Sequence, residues 1–309
     1  LNKKITIIGA GNVGATTAQL IAERALGDIV LLDIVEDIPE GKALDIQEAC
    51  PLWNSPIRVK GTSSYSDTED SDIVVITAGI ARRPGMSRDD LLHANADIVK
   101  KVAEEVSRRS PHAVIIVVTN PVDVMAYLTQ KVTGFEHKRV VGMGGVLDST
   151  RMRSFIAEEL GIHPGDVHAI VLGGHGDQMI PLPRLTMIDG KCITSILSDE
   201  KIKDIVERTR NGGAEIVRLL KTGSAYYAPA ASVVEMIRAI LGLKDETMPC
   251  SVYLDGEYGI KGLYLGVPVR LSTEGVKEIV EIELTDEERV ALNISAEAVR
   301  RLITQIGLD

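Results

Sequence analysis

The segment Gly9-Ala10-Gly11-Asn12-Val13-Gly14 decides the fold. It follows a short apolar run, Lys4–Ile8, and opens a helical pattern with Ala18, Ile21, Ala22 and Ala25 on one face. A second buried strand, Ile29–Leu32, ends at Asp33. Strand, G-x-G-x-x-G, helix, and an acid about 20 residues on: in that order the motif binds a dinucleotide. Gly9 allows the tight turn, Gly11 leaves room for a pyrophosphate, and Gly14 lets helix and strand pack closely. With Ala10, Asn12 and Val13 they form a loop that ends in free helix N–H groups and a positive dipole end. Asp33 can accept both hydroxyls of a ribose and would repel a 2′-phosphate. No Arg or Lys directly follows it, so NAD is preferred over NADP.

The alternation continues outward from this unit. A helix is expected over Pro39–Ala49, then strands at Ile57–Lys60 and Ile73–Ala78. The second strand is uniformly apolar, as in a parallel sheet covered on both faces. The next segment, Gly79–Arg88, contains Pro84 and Gly85 and reads as a loop. Arg82, Arg83 and Arg88 make it either a solvated basic loop or a clamp for an anion, since guanidinium pairs bidentately with carboxylate. Helices at Asp89–Arg109 and Val122–Thr133 alternate with strands at Ala113–Thr119 and Arg139–Met143. Asn120-Pro121 allows two readings, a cis bond at a binding site or an ordinary helix start. The expected fold class is therefore α/β, a doubly wound parallel-sheet Rossmann domain over residues 1–144.

Residues 145–309 read as a second, α+β domain. A helix containing Val146–Arg151 runs to about Leu160 and stops at Gly161. Asp148 and Arg151 share one face of it, as a helix-start acid with a surface ion pair or as parts of a site. A strand at Ala169–Leu172 delivers Gly173-Gly174-His175-Gly176-Asp177. An imidazole among glycines faces a cavity, and its pKa suits proton transfer near neutrality; alone, such a histidine is more often structural or a metal ligand than a catalyst. Beyond lie a hairpin (Leu182–Ile188, Lys191–Ile193) with an Asp189-Gly190 turn, and a helix Asp199–Lys221 interrupted or bent at Gly212-Gly213. A helix through Pro229 to about Leu241, a strand-rich Met248–Leu271 and a last helix capped by Thr285 and Glu288 complete the chain.

Composition bounds the partners. The 309 residues are 45% hydrophobic and 25% charged, with ample core for a globular chain. A net charge of −10 disfavours nucleic acid. No apolar run reaches the roughly 18 residues of a membrane span. No signal-peptide pattern precedes the first strand, and Cys50, Cys192 and Cys250 are far apart with no C-x-x-C. Free thiols, no cysteine metal site and a cytoplasmic setting are expected.

These motifs together resemble the lactate/malate dehydrogenase family, over nearly the whole chain. The carriers are Gly9–Gly14, Asp33, the Ala81–Arg88 loop, Thr119-Asn120-Pro121, Asp148–Arg151 and Gly173–Asp177. The resemblance implies NAD as cofactor, no metal, and reversible hydride transfer between (S)-malate and oxaloacetate, a step of the tricarboxylic acid cycle. It implies that His175 is the proton donor and acceptor, with Asp148 on its other ring nitrogen. Arg151 would hold the carboxylate beside the reacting carbon, Arg88 would polarise the carbonyl, and Arg82 would bind the distal carboxylate. Asn120 would orient substrate or cofactor; Asn95, Val118 and Thr119 would line the nicotinamide side; Gly79–Arg88 would be a lid. A homo-oligomer is implied, tetramer before dimer. The alternatives are a lactate dehydrogenase or other 2-hydroxyacid dehydrogenase, which would leave Arg82 unpaired; an NAD-dependent glycosidase, which would need metal ligands; and a non-catalytic NAD-binding scaffold.

Overall fold

Residues 3–80 and 87–308 are described by a computed structural model. They begin with β1 (Lys4–Ile8) and α1 (Asn12–Glu23), then β2 (Asp28–Leu32), α2 (Ile38–Ala49), β3 (Val59–Thr62) and β4 (Ile73–Ile76). α3 (Arg88–Arg109), β5 (Val114–Val117), α4 (Val122–Thr133) and β6 (Val140–Gly142) complete the first half. The six strands are parallel, in the order β3-β2-β1-β4-β5-β6. β4, β5 and β6 are buried at every residue because helices cover both faces of the sheet. Strand order reverses between β1 and β4, and the crevice beyond their C-terminal ends is where such a sheet takes its ligand.

The second half starts with α5 (Gly145–Leu160), followed by β7 (Val167–His168), β8 (Val171–Gly173), β9 (Met179–Pro181), β10 (Met187–Ile188) and β11 (Lys191–Cys192). α6 (Asp199–Leu220), α7 (Tyr227–Ile240), β12 (Met248–Asp255), β13 (Lys261–Ser272), β14 (Gly275–Ile279) and α8 (Asp286–Gln305) follow. β12–β14 do not form a separate sheet. They extend the parallel sheet with antiparallel strands, joined where Ser251 of β12 pairs with Gly142 of β6. One nine-stranded sheet therefore runs through both halves.

Three sequence expectations need correction. α6 is continuous through Gly212-Gly213, and the glycines serve a packing need described below. Leu182–Ile188 is not one strand. Pro183 lacks an N–H, and a 3₁₀ turn at Pro183–Leu185 takes its place, leaving Met187–Ile188 to pair with Lys191–Cys192. The Asp189-Gly190 turn does form, with φ of 47° and 77°. β8 begins later than expected and pairs with β9, so residues 174–178 are the loop of a hairpin.

Candidate active site

The glycine loop meets the physical demands of a pyrophosphate cradle. Gly9 has φ +107°, and a Cβ on Gly14 would lie 1.9 Å from the Gly9 carbonyl oxygen. By contrast, a Cβ on Gly11 would meet nothing within 4 Å, so that position faces open space. Asp33 sits beside this loop at the end of β2. Its Oδ2 accepts the Ala10 N–H at 2.7 Å and its Oδ1 the Val35 N–H at 3.2 Å. Each oxygen keeps a lone pair for a ribose hydroxyl. Lys42 of α2 closes the other side, donating to the Ala10 carbonyl at 2.6 Å.

At the ends of β4 and β5 the polar atoms are turned to bracing. Thr119 donates to the Ala78 carbonyl at 2.7 Å, beside buried Val118. Asn95, 2% exposed, accepts the Ile80 N–H at 2.9 Å and donates to the Asn120 carbonyl at 2.9 Å. Its carboxamide thus fastens the start of the arginine loop to the turn after β5. The Asn120–Pro121 bond is cis. Arg82 and Arg83 lie outside the described residues, as does the side chain of Arg88, whose backbone opens α3.

The hairpin between β8 and β9 presents His175. Its Nδ1 is 2.8 Å from Asp148 Oδ2, and Arg151 Nη1 is 3.3 Å from Asp148 Oδ1. One turn of α5 thus places a carboxylate between imidazole and guanidinium. The side chains of His175, Asp148 and Arg151 are only 12%, 2% and 11% exposed. An ionised Asp148 can only accept, so Nδ1 carries hydrogen and the neutral ring leaves Nε2 as proton acceptor. Burial pulls the His175 pKa down, but the Asp148 charge and hydrogen bond outweigh it and the net shift is upward. Burial also lowers the Arg151 pKa, with Asp148 opposing.

Several residues that shape this site were not recognised as part of it from the sequence. Gly212 and Gly213 of α6 pass over Arg151; a Cβ on Gly212 would sit 3.1 Å from Arg151 Cδ. Asp123, in the first turn of α4, accepts the main-chain N–H of His175 at 3.0 Å and the Ser251 hydroxyl at 2.7 Å. Ser295 of α8 accepts the N–H of Gly174 at 2.8 Å. Asn120, Asp123 and His175 line a cleft of about 420 Å³, together with Asp89 of α3 and Arg301 of α8. Among the described residues no cluster of His, Cys, Asp and Glu could hold a metal ion, and no helix is long and apolar enough to cross a membrane.

The arrangement can move a proton at His175 beside a held anion. Comparison with known proteins narrows the chemistry. A family model described as "lactate/malate dehydrogenase, NAD binding domain" matches residues 3–142, and its C-terminal alpha/beta counterpart matches residues 145–307. A malate dehydrogenase of Thermomicrobium roseum is 56% identical over 98% of each chain. The crystal structure of Cryptosporidium parvum malate dehydrogenase superposes with a TM-score of 0.97 at 43% identity, covering 99% of both chains. A lactate dehydrogenase of the same organism, complexed with lactic acid and nicotinamide adenine dinucleotide, superposes at 0.96 with 42% identity, covering 99% of this chain and 98% of that one. Backbone likeness therefore does not separate the two activities.

Proposed function

The chain belongs to the lactate/malate dehydrogenase family, and on that footing we propose that it is an NAD-dependent malate dehydrogenase acting through His175. The observation that carries this reading is the Arg151–Asp148–His175 array at the border of the cleft. Its relatives at 52% to 56% identity over nearly the full chain are named malate dehydrogenases. The glycine loop fits the cofactor: Gly11 faces open space where a pyrophosphate would approach, and Asp33 suits a ribose diol.

Bound NAD supplies the hydride acceptor and donor. The protein contributes position, charge and a proton. Neutral His175 takes the hydroxyl proton of malate at Nε2; protonated His175 returns it to the oxygen of oxaloacetate. Asp148 fixes the ring and compensates the imidazolium. Arg151 holds the carboxylate beside the reacting carbon, with room supplied by Gly212 and Gly213. Arg88 polarises the carbonyl oxygen, and Arg82 pairs with the distal carboxylate. Asn120, whose turn is braced by Asn95, orients the substrate. The Gly79–Arg88 loop, whose residues 81–86 lie outside the described residues, would serve as a lid that excludes water and strengthens these charges. We place the division between cofactor and substrate halves at residues 144 and 145.

We also assign the chain to the cytoplasm and the tricarboxylic acid cycle, supported by three free cysteines and by the substrate. A homotetramer is supported by two groups of exposed apolar side chains, Ile38, Leu44 and Leu52 on and beside α2, and Leu219, Leu220 and Tyr227 at the end of α6 and the start of α7. Two such faces suit two kinds of contact. The direct test of the site is His175→Asn: turnover is lost while NADH binding, read by fluorescence, persists. Turnover at the native rate would remove His175 from the chemistry.

A further inference from the structure

Asp123 is a carboxylate placed where a carboxylate is costly. It is 4% exposed, and the direct partners of its two oxygens are a hydroxyl and a main-chain N–H, neither of them charged. Removing a charge from water is strongly unfavourable unless donors replace the lost hydration. Three features replace it here. The Ser251 hydroxyl donates to Oδ1, the His175 N–H donates to Oδ2, and the residue stands in the first turn of α4, at the positive end of the helix. A neutral side chain could tie the same loop at less cost. The retention of charge calls for a use of charge.

The groups around it suggest that use. Facing the His175 loop are Asp148 and Arg151 of α5, Asp89 of α3, Arg301 of α8 and Asp177 of the loop itself. Four of the groups gathered here are largely withdrawn from solvent: Asp123 and Asp148 are buried, and the side chains of Arg151 and His175 are 11% and 12% exposed. Two are anions and one is a fixed cation, so the four balance only when His175 carries its proton. Asp123 also lies three residues after Asn120 on the same helix start. Its bond to the His175 main chain therefore fixes the spacing between a substrate-orienting amide and the proton donor.

Building on the role given to His175 above, we propose that Asp123 is a positioning residue for proton transfer: it pins the His175 main chain to the head of α4 and supplies the second of two buried negative charges that hold the imidazolium. Ser251 keeps this carboxylate ionised, and Ser295 ties the neighbouring Gly174 without adding charge. Burial pushes the Asp123 pKa up to about 6, against the pull of the Ser251 and His175 hydrogen bonds, so the charge is present at neutral pH.

The test reads the imidazole directly, by NMR titration of His175 in the full-length protein labelled at histidine, without substrate. Asp123→Asn keeps an acceptor for the His175 N–H and removes the charge. The His175 midpoint is expected to fall by roughly 1 pH unit. Ser251→Ala, which raises the Asp123 pKa further, is expected to move it in the same direction and stands in if D123N does not fold. Ser295→Ala loosens the loop with no change of charge and should leave the midpoint in place. A midpoint unmoved in D123N, or in S251A if that is the variant that folds, overturns the proposal, as does an S295A shift equal to that of D123N. The titration does not depend on turnover, so it separates this proposal from the assignment of His175 as the proton donor.

Discussion

Asp148 Oδ2 lies 2.8 Å from His175 Nδ1, and its other oxygen lies 3.3 Å from Arg151 Nη1. One carboxylate thus contacts both the ring proposed to move the proton and the guanidinium proposed to hold the anion. The net effect on His175 is a pKa above its ordinary value.

In the proposed role of His175, oxaloacetate reduction needs the protonated ring and malate oxidation the neutral one. Because the pKa is raised, kcat/KM for oxaloacetate should stay flat to above pH 6.5 and then fall tenfold per unit, while kcat/KM for malate rises and levels off over the same range. Asp148→Asn removes the charge and leaves the burial, so the fall should begin at lower pH by roughly 1 to 2 units. Superimposable profiles for the two proteins would rule out this coupling.

Gly11 and Gly14 should separate binding from folding. A Cβ at Gly11 touches no protein atom, so Gly11→Ala should melt like the parent yet bind NADH roughly tenfold more weakly. A Cβ at Gly14 would lie 1.9 Å from the Gly9 carbonyl, so Gly14→Ala should lose about 3 kcal/mol of stability. Thermal melts and NADH fluorescence titrations check both. Equal behaviour of the two variants would contradict the division of labour.

Asp33 should set cofactor choice. Its carboxylate, anchored by the Ala10 N–H, stands where a 2′-phosphate would bring further negative charge. NADH should exceed NADPH in kcat/KM by about tenfold or more, and Asp33→Ser should narrow the gap. An unchanged ratio in the variant would move the determinant elsewhere.

Gly212→Ala should pull stability and substrate binding in opposite directions. Alanine favours the interior of α6 by up to about 1 kcal/mol. Yet its Cβ would crowd Arg151 Cδ at 3.1 Å, so KM for oxaloacetate should rise roughly tenfold with NADH binding intact. A KM equal to the parent's would show that the guanidinium adjusts freely.

The legible parts were those where local chemistry determines structure. The glycine turn, Asp33 and α4 were read closely because strand, turn and helix signals adjoin in sequence. Gly212-Gly213 was read as a bend because a glycine pair in a helix weakens it locally; its use is clearance for Arg151, 61 residues away from Gly212. Asp123 looks like any acid at a helix start. Its partners Ser251 and His175 lie 128 and 52 residues distant, and only the packing of α4 and β8 against β12 and β13 brings them together. The junction of β6 with β12 was likewise invisible, since a single pair, Ser251 with Gly142, makes it.

The central claim is a site built for a dicarboxylate, and the ratio of kcat/KM for oxaloacetate to that for pyruvate tests it most directly. Arg151 can hold the one carboxylate both substrates share; the second needs its own cation, which is assigned to Arg82. A guanidinium left unpaired by pyruvate in a closed site should make the ratio roughly 10⁴ in favour of oxaloacetate. Arg82→Gln should collapse it by losing oxaloacetate activity and gaining pyruvate activity, whereas Arg83→Gln should change it little. A ratio near one in the parent protein, or a ratio that survives Arg82→Gln, would contradict the assignment.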